Sequence, residues 1–244
     1  MLRKKQPRRQ TGAQTRGQPR GKRGLDDAAL LQGALAEMER AGVEDFSLRA
    51  AARAIGCDPA ALIYHFGSRE GLERAVADRL HAKIVRLDPA LPWRERLLGI
   101  ARQYRTLARD YPRTFPILMR YWTTGPRDLA IADDTFRALA DAGVPDDKLP
   151  ATECGLYAAL LGLCAAEAGG LVGRPGPETM KEIGEQPELE AMRRLLPQIR
   201  RLETDQIFEA TLGVMLDGIE ALGRRARKKA PLPEKRGRAP RKES

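Results

Sequence analysis

Histidine is nearly missing from this chain: only His65 and His81 occur in 244 residues, beside three cysteines, Cys57, Cys154 and Cys164. Ligands this sparse, without paired metal spacing, exclude a structural zinc site, and an odd number of thiols in apolar or turn contexts excludes a disulfide scaffold. The cysteines read as buried structural thiols in a reduced cytoplasm. With no Ser-His-Asp set, no metal cluster and no phosphate loop, the sequence argues against an enzyme, and no cofactor or metal is expected. Aromatic residues make up 5% of the chain, β-branched runs are few, and no convincing strand pattern occurs. Apolar residues at helical spacing predict an all-α protein. The longest apolar run, residues 154 to 166, is short for a membrane span, and the first 24 residues lack the apolar segment of a targeting sequence.

Acid is absent from residues 1 to 24, which hold nine Lys or Arg, while residues 224 to 244 set ten basic residues against two acids. The two ends therefore carry +17 of a net +10, and the stretch between them is −7. The basic balance belongs to the ends and not to the body. Residues 1 to 24 read as a disordered basic arm, because Gly, Gln, Pro and Arg offer little apolar surface to bury. Arg20, Lys22 and Arg23 stand just before the first helix pattern and suit phosphate contacts or a minor groove. Residues 228 to 244 read as a second disordered basic tail. Between them two helical units are expected, a smaller one over residues 25 to 87, whose motif is read next as DNA-binding, and a larger one over residues 88 to 227.

Residues 47 to 66, SLRAAARAIGCDPAALIYHF, carry two short helix patterns around a tight turn. Ser47 can cap the first helix, where Leu48, Ala51, Ala52 and Ile55 share one face and Arg49 and Arg53 stay wet. Gly56 supplies the left-handed turn, with Cys57 as a small buried neighbour. Asp58 and Pro59 restart a helix, an acidic cap followed by proline where its missing N–H costs nothing. Leu62 and Phe66 point inward, so small Ala60 and Ala61 let the backbone approach a groove, and Tyr64 can reach a phosphate oxygen.

The stretch LLQGALAEMERAGVEDFSLRAAARAIGCDPAALIYHFGSREGLERAV, residues 30 to 76, resembles the N-terminal domain of the TetR family of bacterial transcriptional regulators. It matches in order a first helix, an AG turn, a serine-capped helix, a glycine turn, the YHF triplet and a basic-acidic-x-leucine step. The resemblance implies that Tyr64, His65 and the start of their helix face DNA. It also implies that Phe66 anchors the helix and that Arg69 lies near phosphate where the family usually has lysine. The expected DNA-facing set is thus Ser47, Arg49, Asp58, Pro59, Ala60, Ala61, Tyr64, His65 and Arg69, with Arg20, Lys22 and Arg23 from the arm.

Ser68 to Leu87 continues as a longer helix, which the resemblance makes the connector that transmits ligand occupancy to the head. Asp88, Pro89 and Pro92 break the chain after it. Trp93, Leu97, Ile100, Tyr104 and Leu107 then form one stripe. PRTFPILMRYW makes a short, proline-interrupted helix, and a further helix is expected over about Arg127 to Ala142. Residues 150 to 171 are apolar almost all round, and about 203 to 227 carry two stripes, one led by Phe208, Leu212, Met215, Ile219 and Leu222, the other by Ile207, Thr211, Val214 and Gly218. Two stripes imply two partners: the domain's own core and a second copy, giving a four-helix homodimer interface. Residues 169 to 186 read as a Gly- and Pro-broken connection, with a helix near Pro187 to Leu202.

The larger domain resembles the tetracycline-repressor type within the family. Counted without gaps from the YHF triplet, the two histidines that help hold metal-bound tetracycline there fall near Val85 and Met119, neither of which replaces an imidazole. The candidate pocket, Tyr104, Phe115, Met119, Trp122, Phe136, Tyr157, Leu160 and Cys164, points instead to an organic, mostly apolar or aromatic effector. The reading is a ligand-responsive regulator, most simply a repressor that binds a palindromic operator in double-stranded DNA as a homodimer, in the bacterial cytoplasm at the nucleoid, with no membrane partner. The alternative is an architectural DNA coater that uses its basic tails and has no effector; steep salt dependence and indifference to sequence would mark it.

Overall fold

The computed structural model describes residues 26–229, which hold ten α-helices, one 3-10 helix and no strand. A head is formed by α1 (Asp27–Ala41), α2 (Leu48–Ile55) and α3 (Pro59–Phe66), and α4 (Arg69–His81) leads out of it. The body comprises α5 (Trp93–Asp110), a 3-10 helix (Phe115–Met119), α6 (Pro126–Asp141), α7 (Leu149–Ala168), α8 (Pro177–Glu185), α9 (Glu190–Ile199) and α10 (Thr204–Lys229).

The helices of the head start where the sequence supplies a cap. Asp26 accepts from the Ala28 amide, Ser47 from Ala50, Asp58 from Ala60 and Ser68 from Gly71. Each satisfies a donor that a helix start leaves without a partner, a contribution of about 1 kcal/mol. Gly56, at φ 78° and ψ 31°, ends α2 in the left-handed conformation that the turn needs.

One buried cluster runs from Leu30, Leu35 and Met38 of α1 through Leu62 and Leu80 to Tyr104, Phe115, Leu160 and Phe208. Head and body share it, so α4 is packed into both. A second cluster joins Leu97, Leu139, Ala142, Val144, Leu216 and Ile219 at the far end of the body. There α10 comes so close to the end of α6 that a Cβ on Gly223 would lie 2.2 Å from the Ala142 carbonyl oxygen.

The structure corrects several expected boundaries. The connecting helix does not reach Leu87 but ends at His81. Beyond it Gln103 of α5 takes over the backbone of Val85, accepting from its N–H at 2.6 Å and donating to its carbonyl at 3.0 Å, which replaces the bonds a longer helix would have made. Residues 177–185, expected within a broken connection, form α8: Pro177 starts it, and Met180 and Ile183, three residues apart, are buried. The next helix begins at Glu190 rather than near Pro187. Cys57 is half-buried. On α10 the inner stripe includes Leu216, at 1% exposure, which the 208–212–215–219 register had missed, while Met215 packs at its edge. The arm and most of the basic tail, including Arg20, Lys22 and Arg23, lie outside the described residues.

α7 is longer than its central apolar run, and by length and composition alone it would suffice to cross a membrane. Its surroundings make it a bundle helix. Leu160, Leu161 and Cys164 are buried in the core, and Glu167 near its end holds Arg105 at 2.7 and 3.0 Å together with Arg109 of α5. The opposite side, with Gly155, Ala159 and Gly162, is open in the single chain, as is Val214 of α10 at 74% exposure, while exposed Cys154 and Ala158 turn toward the cavity described below.

Candidate DNA-reading head and effector cavity

The head presents α3 outward. Leu62 is its one fully buried side chain, whereas Tyr64 is 86% exposed and Ala60 and Ile63 lie on the surface. Pro59 and Ala61 are half-buried, and Ser47, Arg49 and Asp58 are exposed at the helix starts. Ser47 and Asp58 already spend an oxygen each on capping, at 3.1 and 2.7 Å. Two of the expected readers are partly committed elsewhere. His65 turns Nδ1 to Asp27 Oδ1 at 2.5 Å and so pins α3 to α1. Arg69 donates Nε to Glu73 Oε1 at 2.7 Å and lies over the Phe46 ring, although nearly half of its side chain remains open to a phosphate.

A polar seam joins this head to residues 113–127, and sequence reasoning did not find it. Glu39 of α1 accepts from the Thr114 amide and hydroxyl at 2.9 and 2.8 Å. Glu44 accepts from Arg120, and Asp78 of α4 from Arg127. Arg74 donates to the Thr123 carbonyl and lies over the Tyr121 ring. Glu73, almost fully buried, accepts from Tyr121 Oη at 2.6 Å and from Arg69. Burial pushes the Glu73 carboxyl up, but the hydrogen bonds from Tyr121 and Arg69 outweigh it and hold the group below its ordinary range; in return Tyr121, by burial and by that bond, is pushed up to about 12. At the end of α4, His81 Nδ1 lies 2.9 Å from Thr124 Oγ1, and Nε2 faces Asp128 at 3.5 Å.

The same segment forms one wall of a cavity of about 830 Å³ enclosed by α5, α6, α7 and α10. Leu118, Met119, Tyr121, Trp122 and Thr123 face it from the segment. Of the expected pocket residues, Tyr104, Met119, Trp122, Phe136, Tyr157 and Leu160 line it. Phe115 and Cys164 do not. Phe115 is wholly enclosed in the core shared by head and body, and Cys164 lies a turn beyond Leu160, buried beside Glu167, where loss of solvent pushes its thiol up to about 12. Val85 is on the surface, 69% exposed, whereas Met119 reaches the cavity mouth. Among the described residues, no group of three His, Cys, Asp or Glu side chains is arranged to hold a metal. The polar lining went unnoticed in the sequence: Asp128, Thr135 and Glu153 are scattered over two helices that only the fold brings together.

A small outward-facing helix on a capped turn, joined by a packed connector to a helical domain with a large apolar cavity, is also what family comparison recovers. The model for "Bacterial regulatory proteins, tetR family" matches residues 30–76, and that for "Tetracyclin repressor-like, C-terminal domain" matches residues 88–222. The chain belongs to the TetR family. No curated protein matches it. Among solved structures, this TetR family chain is similar to apo ActR from Streptomyces coelicolor, with TM-score 0.74 and 19% identity over 84% of this chain and 100% of that one. A transcriptional regulator from Streptomyces coelicolor A3(2) has TM-score 0.65 and 28% identity over 80% and 96% of the two chains. BioQ bound to its double-stranded DNA operator has TM-score 0.60 and 22% identity over 81% and 99%. At these identities the likeness to ActR and BioQ shows a shared fold.

In this TetR family member the connector's end is also a titration point. Burial lowers the His81 pKa below 6.5, and the charges of Asp128 and Asp78 only partly offset it. The folded chain therefore refuses a proton that the unfolded chain accepts. This contribution to stability is complete above about pH 6.5 and is lost as the pH falls through the window below it. Thermal unfolding of the wild type should drop more steeply as the pH falls below about 6.5 than that of His81→Gln, whose carboxylates titrate alike. Parallel curves would remove His81 from the account.

Proposed function

We propose that this chain is a ligand-responsive transcriptional repressor that binds a palindromic operator as a homodimer and is released by a small organic effector. The observation that carries the reading is that residues 118–123 wall the cavity while their neighbours 113–127 bind α1 and α4. Anything that moves this wall pulls on the head. The open sides of α7 and α10 serve as the dimer interface, and two heads then meet half-sites about 34 Å apart. An effector that fits better when the heads are splayed shifts the population away from that spacing. Coupling of about 1 to 3 kcal/mol, typical of such linkage, corresponds to roughly 5- to 150-fold in operator affinity.

Structural relatives suggest both ends of such a cycle, since ActR has been crystallised with actinorhodin and BioQ with its operator. Tyr64, Ala60, Arg49 and the free side of Arg69 carry the DNA contacts, and the chain works in the cytoplasm, on the nucleoid. The competing picture, an architectural coater acting through its basic ends, gives no role to a cavity built against the seam.

Ala132, on the cavity wall, supplies the test. Ala132→Trp fills the space from a helix that faces no DNA. Operator binding, measured on sites found by genome-wide mapping, should persist in this variant while its response to effector disappears. Bound sites with no shared palindromic element would overturn the reading, and so would a filled cavity that still responds.

A further inference from the structure

The cavity is not evenly apolar. Three carboxylates line it, Asp128, Asp133 and Glu153, and among the described residues no Lys, Arg or His does. Asp133 is neutralised by Arg137 at 2.6 Å, outside the lining. Asp128 and Glu153 have no such partner. Asp128 is buried and accepts from the Thr124 amide at 3.0 Å, and the imidazole at 3.5 Å from it is one that burial keeps from taking a proton at neutral pH. Glu153, on α7, sits close enough to feel the Asp128 charge; loss of solvent first, and that charge in addition, push its carboxyl up. Tyr104 of α5, 1% exposed, is among the lining residues beside them, close enough that its phenol, pushed up by burial, is pushed up further by both carboxylate charges. The rings of Tyr104 and Tyr157 meet edge to face at 5.7 Å beside the same carboxylates, and aromatic faces attract positive charge.

We propose that the cavity takes an apolar organic cation, its positive group placed at the pole of Asp128, Glu153 and Tyr104 and its body against Trp122, Phe136 and Leu160. This rests on the reading of the cavity as the effector site and narrows its ligand class. A buried carboxylate with no cation of its own is unfavourable until a positive partner arrives, so the empty pole favours cations over neutral or anionic ligands of the same shape. Asp128 also faces His81 at the end of α4, so charge arriving there lies one contact from the connector.

Tetraphenylphosphonium and tetraphenylborate, equal in shape and opposite in charge, test this on the full-length protein, with triphenylmethanol as a neutral probe. Binding is followed by calorimetry, and only the part lost in Ala132→Trp is counted, which discards association with the basic ends. The phosphonium is expected to bind at least tenfold more tightly than the borate. Glu153→Gln, at a half-buried site where folding is not at risk, should reduce that preference severalfold, and Asp128→Asn should reduce it further. Equal binding of the two ions, a preference for borate, or a preference unchanged by both variants would overturn the proposal. Binding of triphenylmethanol alone would overturn the charge preference and leave the cavity an effector site. Failure of every probe in a protein that still holds its operator would remove the effector site itself.

Discussion

Replacing Leu62 by alanine is expected to weaken operator binding roughly a hundredfold while leaving the body folded. α3 spans eight residues, Pro59–Phe66, and Leu62 is its one fully buried side chain; Phe66 only rests against the core. A helix this short is not stable in isolation, because its nucleation is costly and few hydrogen bonds follow. Its place on the head therefore depends on the Leu62 contact, on the His65–Asp27 bond and on the Asp58 cap. Truncating a buried leucine costs about 2 to 5 kcal/mol, more than a surface hydrogen bond returns. The loss should appear as local opening of α3 and not as global unfolding. About 3 kcal/mol of opening corresponds to a loss of roughly two decades in operator affinity. Hydrogen exchange should show faster exchange in α3, with the amides of α5, α7 and α10 unchanged. Tyr64→Phe, which removes one exposed hydroxyl, should cost only a fraction as much. Intact operator affinity in Leu62→Ala would mean that α3 is not the reading helix or is held by something else.

Glu73→Ala should disconnect the effector from the operator. The Glu73 carboxylate of α4 is the point where Arg69, at the start of that helix beside the head, and Tyr121 of the cavity segment converge. Its removal leaves the Tyr121 hydroxyl and Arg120 without that acceptor. Both are partly exposed and can turn to water, so the stability cost should stay near 1 to 3 kcal/mol. The larger consequence is mechanical. With Tyr121 released, movement of the cavity wall is no longer imposed on α4, and the effector-induced change in operator affinity should shrink from about 5- to 150-fold to near unity. Because Glu73 also steadies Arg69, Tyr121→Phe is the cleaner companion: it breaks the seam from the body side, leaves Arg69 bound and should weaken the response in the same direction. A full effector response in both variants would show that the signal crosses the seam elsewhere.

These expectations separate along a physical line. The head was legible because its determinants are local: Ser47, Gly56, Asp58 and Pro59 each act within a few residues, and caps, turns and helical periodicity are written in adjacent positions. The same rules located the long α5, α6, α7 and α10. They failed where a distant residue intervened. Val85 was read as helix because nothing nearby says that Gln103, 18 positions on, will take its hydrogen bonds. Phe115 was read as cavity wall because an apolar side chain in an irregular segment looks alike whether it faces ligand or core.

By itself, then, the sequence determined the fold class, the helix-turn-helix segment and the family, since short-range capping and apolar spacing suffice for them. Only the tertiary structure decided how the parts communicate. Glu39 meets Thr114 across 75 positions and Glu73 meets Tyr121 across 48, and the pole of Asp128, Glu153 and Tyr104 assembles from three helices. Burial and charge environment belong to the packed chain, so a carboxylate's role as surface solubiliser, seam or ligand anchor is fixed only when the helices close around it.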